Sequence, residues 1–141
     1  ADALPYIKAH PRKISEVVFN LLINALDAIT AKKAIKRQFQ NESRITIRTS
    51  VHDKQIRIVV SDNGIGIPTH LIKRITEPFF TTKSTGSGKG LGLSISKEIV
   101  KSYDGRIEIK SEETRKTDII ITFPSQTVAT PHANGPQTIE R

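Results

Sequence analysis

The sequence predicts an α+β domain, a two-layer sandwich in which helices cover one face of a mixed, mostly antiparallel sheet. Two observations carry this. Residues 12–38 and 91–103 repeat apolar side chains at the helical period, and residues 44–61 and 106–123 each hold two β-rich runs joined by a short polar turn. Helices and paired strands in that arrangement bury their apolar faces most simply as two layers.

Residues 4–9 form a short extended segment that His10-Pro11 ends, and Pro11 suits the first turn of a following helix. Over residues 12–38 the apolar positions Ile14, Val17, Val18, Leu21, Leu22, Ala25 and Ile29 recur at helical spacing, giving the main helix. Residues 44–51 and 55–61 alternate as strands, with His52-Asp53-Lys54 as their hairpin turn. A short helix is expected over residues 68–75. Residues 81–90 gather Gly86, Gly88 and Gly90 among Ser, Thr and Lys, the composition of a mobile loop. A second long helix covers residues 91–103 and is closed by Asp104-Gly105. Residues 106–110 and 118–123 finish as strands around a turn at 112–116. A folded domain over residues 1–124 is followed by a polar stretch, residues 125–141, expected to be a disordered tail or linker. There is no internal repeat.

A chain of 141 residues is one domain of ordinary size. It contains no cysteine, which excludes thiol catalysis, disulfides and Cys-ligated zinc. It contains no methionine either, and this predicts a piece of a longer protein. The longest apolar stretches, residues 17–23 and 119–121, are too short and polar-flanked to span a bilayer, and no secretory signal is present. Asn41-Glu42-Ser43 has the form of a glycosylation sequon, but it carries no weight outside a secretory context. The net charge of +8 invites a nucleic-acid reading, yet the cations are dispersed apart from Lys32, Lys33, Lys36 and Arg37, with no accompanying aromatic series. A small anionic ligand such as a nucleotide triphosphate uses positive potential equally well.

Asp62-Asn63-Gly64-Ile65-Gly66 directly follows a strand. The glycines let the backbone approach a flat ligand, and a carboxylate accepts from an exocyclic amine while repelling a carbonyl, so adenine is favoured over guanine. Read alone, the same pattern also fits a loop between two strands. On the main helix Glu16, Asn20, Asn24 and Asp27 follow one another at steps of four, four and three. This spacing places them on one face, expected opposite the apolar stripe. Asparagine is a mediocre helix former, so two of them suggest amides that hold a hydrated magnesium ion and phosphate oxygens, the bland alternative being a solvated face. Gly86-Ser87-Gly88-Lys89-Gly90-Leu91-Gly92-Leu93 runs into a helix start, where free N–H groups and the helix dipole favour an anion. The P-loop pattern fails there, because Lys89 is followed by Gly90 and no glycine stands five before Gly88. The dinucleotide pattern fails because Leu91 occupies a required glycine position. Lys83 and Lys89 bracket the loop and either neutralise phosphate or are simply solvated. His10, His52, His70 and His132 are scattered singly, without metal spacing or a triad.

Four motifs in order, Asn20-Leu-Leu-Ile-Asn24-Ala, Asp62-x-Gly64-x-Gly66, Glu77-Pro78-Phe79-Phe80-Thr81-Thr82-Lys83 and Gly88-Lys89-Gly90-Leu91-Gly92-Leu93, resemble the ATP-binding catalytic domain of bacterial sensor histidine kinases. That domain has the Bergerat fold of the GHKL superfamily, and the resemblance covers residues 4–124. Residues 24–28 and 79–83 are similar to the nitrogen-regulatory subgroup. The resemblance implies ATP and Mg2+ as cofactors, with Asn20 and Asn24 binding the metal and phosphate and Asn20 the catalytic position. It implies that Asp62 accepts from the adenine amine, that Gly64 and Gly66 shape the base pocket, and that Thr117 supports the base through water. Gly88, Gly90, Leu91 and Gly92 would form the phosphate-cradling turn, and Ile67, Phe80, Lys83, Lys89 and Leu93 further nucleotide contacts. Residues 79–90 would be the ATP lid, disordered without ligand. The implied partners are a helical dimerisation domain of the same protein, bearing the phosphoacceptor histidine, and a downstream response regulator, in a cytoplasmic setting without nucleic-acid or membrane contact by this domain.

Three positions depart from the family pattern. Lys116 stands where glycine is usual, His10 where an aspartate commonly precedes the proline, and Asp27 where many members have a phosphate-contacting lysine, so the triphosphate must lean on the lid lysines. In a second branch of the superfamily, which includes heat-shock chaperone, topoisomerase and mismatch-repair ATPases, the position of Asn20 is a water-activating glutamate. An amide cannot act as a general base. Transfer of the γ-phosphate to an external histidine is therefore expected, and the alternative is a self-sufficient ATPase acting as a conformational clamp.

Overall fold

A computed structural model describes residues 4–35, 42–78, 80 and 92–127. Helix α1 spans Pro11–Ile35. His10 caps its start: Nδ1 accepts from the Arg12 amide at 3.3 Å, and its carbonyl accepts from the Lys13 and Ile14 amides at 3.0 and 3.3 Å. Pro11 takes the first turn, where an N–H has no partner to lose. The departure at His10 is thus compatible with helix initiation.

Val17, Leu21, Ala25 and Ile29 form the buried stripe of α1, and Leu21 is sealed completely. The surface opposite that stripe is not uniformly polar, since apolar side chains share it with Glu16 and Asp27. Phe19, Ile23 and Leu26 occupy it, 63%, 38% and 52% exposed. This corrects the expected placement of the asparagines: at about 100° per residue, Asn20 and Asn24 flank the buried stripe, so they look along the protein toward neighbouring elements rather than outward. By length and composition α1 also qualifies as a membrane-crossing helix, although no uninterrupted apolar stretch in it is long. Its buried stripe fills the core of this domain, which is the position of a core helix.

Strands β1 (Ile45–His52) and β2 (Gln55–Asp62) make the first hairpin, β3 (Arg106–Glu112) and β4 (Lys116–Pro124) the second. The first turn places Asp53 and Lys54 at φ of 48° and 57°, the mirror-image turn whose twist suits a two-residue hairpin. The sheet order is β1-β2-β4-β3 and every neighbouring pair is antiparallel. No parallel pair joins these four strands, so the sheet is not mixed. Because β4 inserts between β2 and β3, the two central strands supply the core through Ile58, Val60, Ile119, Ile121 and Phe123, packed beneath α1 and a second helix.

That helix, α2, spans Gly92–Ser102. Asp104, at φ 58°, supplies the left-handed residue that ends it, and the Gly105 amide returns to the Val100 carbonyl at 2.9 Å. Gly105 is glycine for another reason. A Cβ there would lie 2.7 Å from Phe123 Cδ1 and 2.8 Å from the Thr122 carbonyl. Tyr103 Oη accepts from the His10 amide at 3.2 Å, tying the end of α2 to the start of α1. The expected helix over residues 68–75 shrinks to one 3-10 turn, Thr69–Leu71, followed by further turns, with Ile75 buried as its anchor. So short a segment makes too few i→i+4 bonds to sustain a regular helix. Past Pro124 the chain remains tied: Tyr6 and Gln126 exchange backbone hydrogen bonds of 2.9 and 2.8 Å. The rest of the expected tail, residues 128–141, lies outside the described residues.

Candidate functional site

Asp62 is the last residue of β2 and is 8% exposed. It pairs across the sheet with Thr117 of β4, which pairs in turn with Ser111 of β3, so one transverse row carries a carboxylate and two hydroxyls toward the helices. Asp62 Oδ1 accepts the Gly64 amide at 2.8 Å. Burial lifts the Asp62 carboxyl from 3.8 to about 6, against the Gly64 hydrogen bond, with Asp118 adding to the rise and Lys32 opposing it.

The loop after Asp62 is pinned from three sides. Its Ile65 amide donates to the Ala28 carbonyl of α1 at 3.0 Å, and its Ile67 amide to Ser111 Oγ at 2.8 Å. Asn63 bridges to the approach of β1 through the Arg44 amide at 2.8 Å and the Glu42 carbonyl at 2.7 Å, and its own carbonyl receives Lys32 Nζ at 2.8 Å. The glycines serve this docking first. A Cβ on Gly64 would lie 2.6 Å from the Ala28 carbonyl carbon and 2.7 Å from Asp62 Oδ1. Gly66, at φ +71°, would meet the Glu112 carbonyl.

Asn20, Asn24 and Ala28 succeed one another at steps of four along α1, so Asn20 stands about 12 Å along the helix axis from the Ala28 dock. Asn20 Nδ2 reaches the Gly92 carbonyl at 3.5 Å and Ser96 Oγ at 3.4 Å, both long, which turns the amide toward the start of α2. Asn24 Nδ2 is buried and meets no hydrogen-bond partner. Gly92 opens α2, and a Cβ there would meet nothing within 4 Å. The site is therefore elongated, with acceptors at the Asp62 end and amides with an open helix start at the other. Asn20 and Asn24 fit a hydrated hard cation and phosphate oxygens: an amide oxygen is a suitable ligand, and the Asn24 donor lacks an acceptor. No group of three or more His, Cys, Asp or Glu able to hold a metal occurs among the described residues.

The structure thus gathers Asn20, Asn24, Asp62, Gly64, Gly66, Ile67, Gly92 and Thr117 around one tract. Leu93 leans against the core. Phe80 has the Arg74 guanidinium over its ring at 4.7 Å. Lys83, Gly88, Lys89, Gly90 and Leu91, together with the expected lid apart from Phe80, lie outside the described residues. Sequence reasoning missed Ser111, Lys32, Asp118 and Ala28. Only cross-strand register and helix docking bring them to Asp62; a polar residue at position 111, following Ile107 and Ile109 on one strand face, was the available signal for Ser111.

Residues 9–127 match the family described as histidine kinase-, DNA gyrase B-, and HSP90-like ATPase. The signal transduction histidine-protein kinase AtoS of Escherichia coli is 40% identical over 110 residues, 78% of this chain and 16% of AtoS. A putative sensor protein of Shewanella frigidimarina is 34% identical over 122 residues, 86% of this chain and 17% of that protein. This chain spans about a sixth of the length of those two relatives. Among solved structures, the catalytic domain of histidine kinase ThkA superposes with a TM-score of 0.66 at 30% identity, covering 84% of this chain and 70% of that one. Full-length ShkA in complex with AMPPNP shares the fold, with a TM-score of 0.73 at 24% identity over 92% of this chain and 25% of ShkA. The chain belongs to the histidine kinase-, DNA gyrase B- and HSP90-like ATPase family, and within it is similar to the ATP-binding catalytic domains of sensor histidine kinases.

Proposed function

We propose that this chain binds ATP with magnesium and acts as the catalytic domain of a two-component sensor kinase, delivering the γ-phosphate to a histidine on a separate helical dimerisation domain of the same protein, which then serves a response regulator. The observation that carries the reading is the buried Asn24 Nδ2 without an acceptor. Leaving a buried donor unpaired costs about 1–3 kcal/mol, a cost that a phosphate oxygen would relieve.

Asp62, when ionised, accepts from the 6-amino group of adenine. Thr117 supports the same edge. Asn20, its Nδ2 occupied by Gly92 and Ser96, leaves its Oδ1 toward the cation, while Asn24 donates to phosphate. Magnesium, when bound, neutralises phosphate charge and orients its oxygens. Asn20 offers no general base, so water is not activated and an in-line histidine nucleophile takes the phosphoryl group. Assignment to the nitrogen-regulatory subgroup rests on residues 24–28 and 79–83.

Calorimetric titration with Mg-ATP tests the pocket. Asp62→Asn should abolish or badly weaken binding, and unchanged affinity overturns the base-pocket assignment. Mixing the chain with ATP and a helical domain bearing the acceptor should yield acid-labile phosphohistidine. Steady phosphate release by the chain alone, lost on Asn20→Ala, would instead establish a self-sufficient ATPase.

A further inference from the structure

Ser111 Oγ has three partners. It accepts the Ile67 amide at 2.8 Å, it lies 2.9 Å from the Lys116 carbonyl, and it lies 2.8 Å from Thr117 Oγ1. A carbonyl can only accept, so the one proton of Ser111 goes to Lys116. The contact with Thr117 must then run the other way, with Thr117 donating to Ser111. The Thr117 hydroxyl, 3% exposed and directly opposite Asp62 across β2 and β4, is left with lone pairs alone.

We propose that Ser111 is a positioning residue for nucleotide specificity: by drawing the Thr117 proton away from the pocket, it makes the rim beside Asp62 an array of acceptors that takes a 6-amino purine and refuses a 6-oxo purine. The proposal rests on the base-pocket reading above and adds to it a residue that never touches the ligand. Asp62 by itself repels the guanine carbonyl, but a threonine hydroxyl free to rotate could turn its proton to that carbonyl and offset the repulsion. Ser111 removes that option. The Ile67 amide and Lys116 carbonyl are backbone groups held by the loop dock and the β3-β4 turn, so the polarity of the hydroxyl pair is set by the fold before any nucleotide arrives.

The test compares Mg-ATP and Mg-GTP affinities of the same chain by calorimetry, with thermal melting as the folding control. Ser111→Ala frees the Thr117 proton and should shrink the preference for ATP over GTP by about threefold to tenfold, the worth of one hydrogen bond. Ser111→Thr retains the hydroxyl and should restore the wild-type ratio. If Ser111→Ala weakens both nucleotides by one common factor, or Ser111→Thr fails to restore the ratio, Ser111 is merely structural and the proposal is wrong. Should Ser111→Ala fail to fold, Thr117→Val carries the test: loss of the lone pairs should lower the ATP preference, and an unchanged ratio overturns the idea. Asp62→Asn separates the two layers. If it weakens ATP while Ser111→Ala leaves the ratio unchanged, only the Ser111 assignment falls; if it leaves ATP affinity intact, the base pocket and this proposal fall together.

Discussion

Asp62 and Thr117 face each other directly across the two central strands, and both are buried against the helical layer. A carboxylate in such a place is costly when charged, and its carboxyl is raised from 3.8 to about 6. Between about pH 4 and 6 the native protein holds a proton that the unfolded chain has released, so stability declines as pH rises through that window and levels off above it. The decline is on the order of 3 kcal/mol. Urea titrations from pH 4 to 8 should show it, and Asp62→Asn should flatten the profile.

Nucleotide binding should run in the opposite sense. Ionised Asp62 accepts from an amine more strongly than the neutral acid, whose proton can also face the base as a donor, so affinity for Mg-ATP should weaken below pH 6, by at most about tenfold per pH unit. Calorimetry at pH 7.5, 6 and 5 checks this, with GTP as the comparison. A flat ATP profile would detach Asp62 from the base.

Asn24 separates function from stability. Asn24→Leu replaces an unpartnered buried donor with an apolar group of similar size, so it should leave the fold as stable or raise its stability by about 1 kcal/mol. The same change should remove Mg-ATP binding. A loss of stability with binding retained would mean that Asn24 is structural.

Gly64→Ala should destabilise by about 1–3 kcal/mol, the range for forcing a group into a packed site, because its Cβ would press on Ala28 of α1. Chemical denaturation measures the effect. The substitution should also weaken ATP binding, since Gly64 holds the Asp62 carboxylate through its amide.

His10 already caps α1 through Nδ1. Asp and Asn are favoured at that position, and a negative charge there complements the helix dipole. His10→Asp should therefore raise stability by about 0.5–1 kcal/mol at neutral pH, read as an increased melting temperature without change in ATP affinity.

The sequence by itself determined what depends on near neighbours. The periodicity of α1 and α2, the turn at residues 53–54, the Asp62-x-Gly64-x-Gly66 motif after a strand and the four-residue spacing of Asn20 and Asn24 all arise from local backbone preferences and side-chain order, so they were legible. The tertiary structure decided what depends on pairing between distant segments. Inserting β4 between β2 and β3 put Thr117 opposite Asp62 and Ser111 beside Thr117, a row no linear spacing reveals. Docking the glycine loop on Ala28 gave Gly64 a packing reason that the motif does not show, and the rotation of α1 against the sheet turned Asn20 toward α2 and buried the Asn24 amide while leaving Phe19 and Leu26 outward. Strand register and helix rotation are settled by burying the most apolar surface of the whole chain at once. No window of residues carries that information alone.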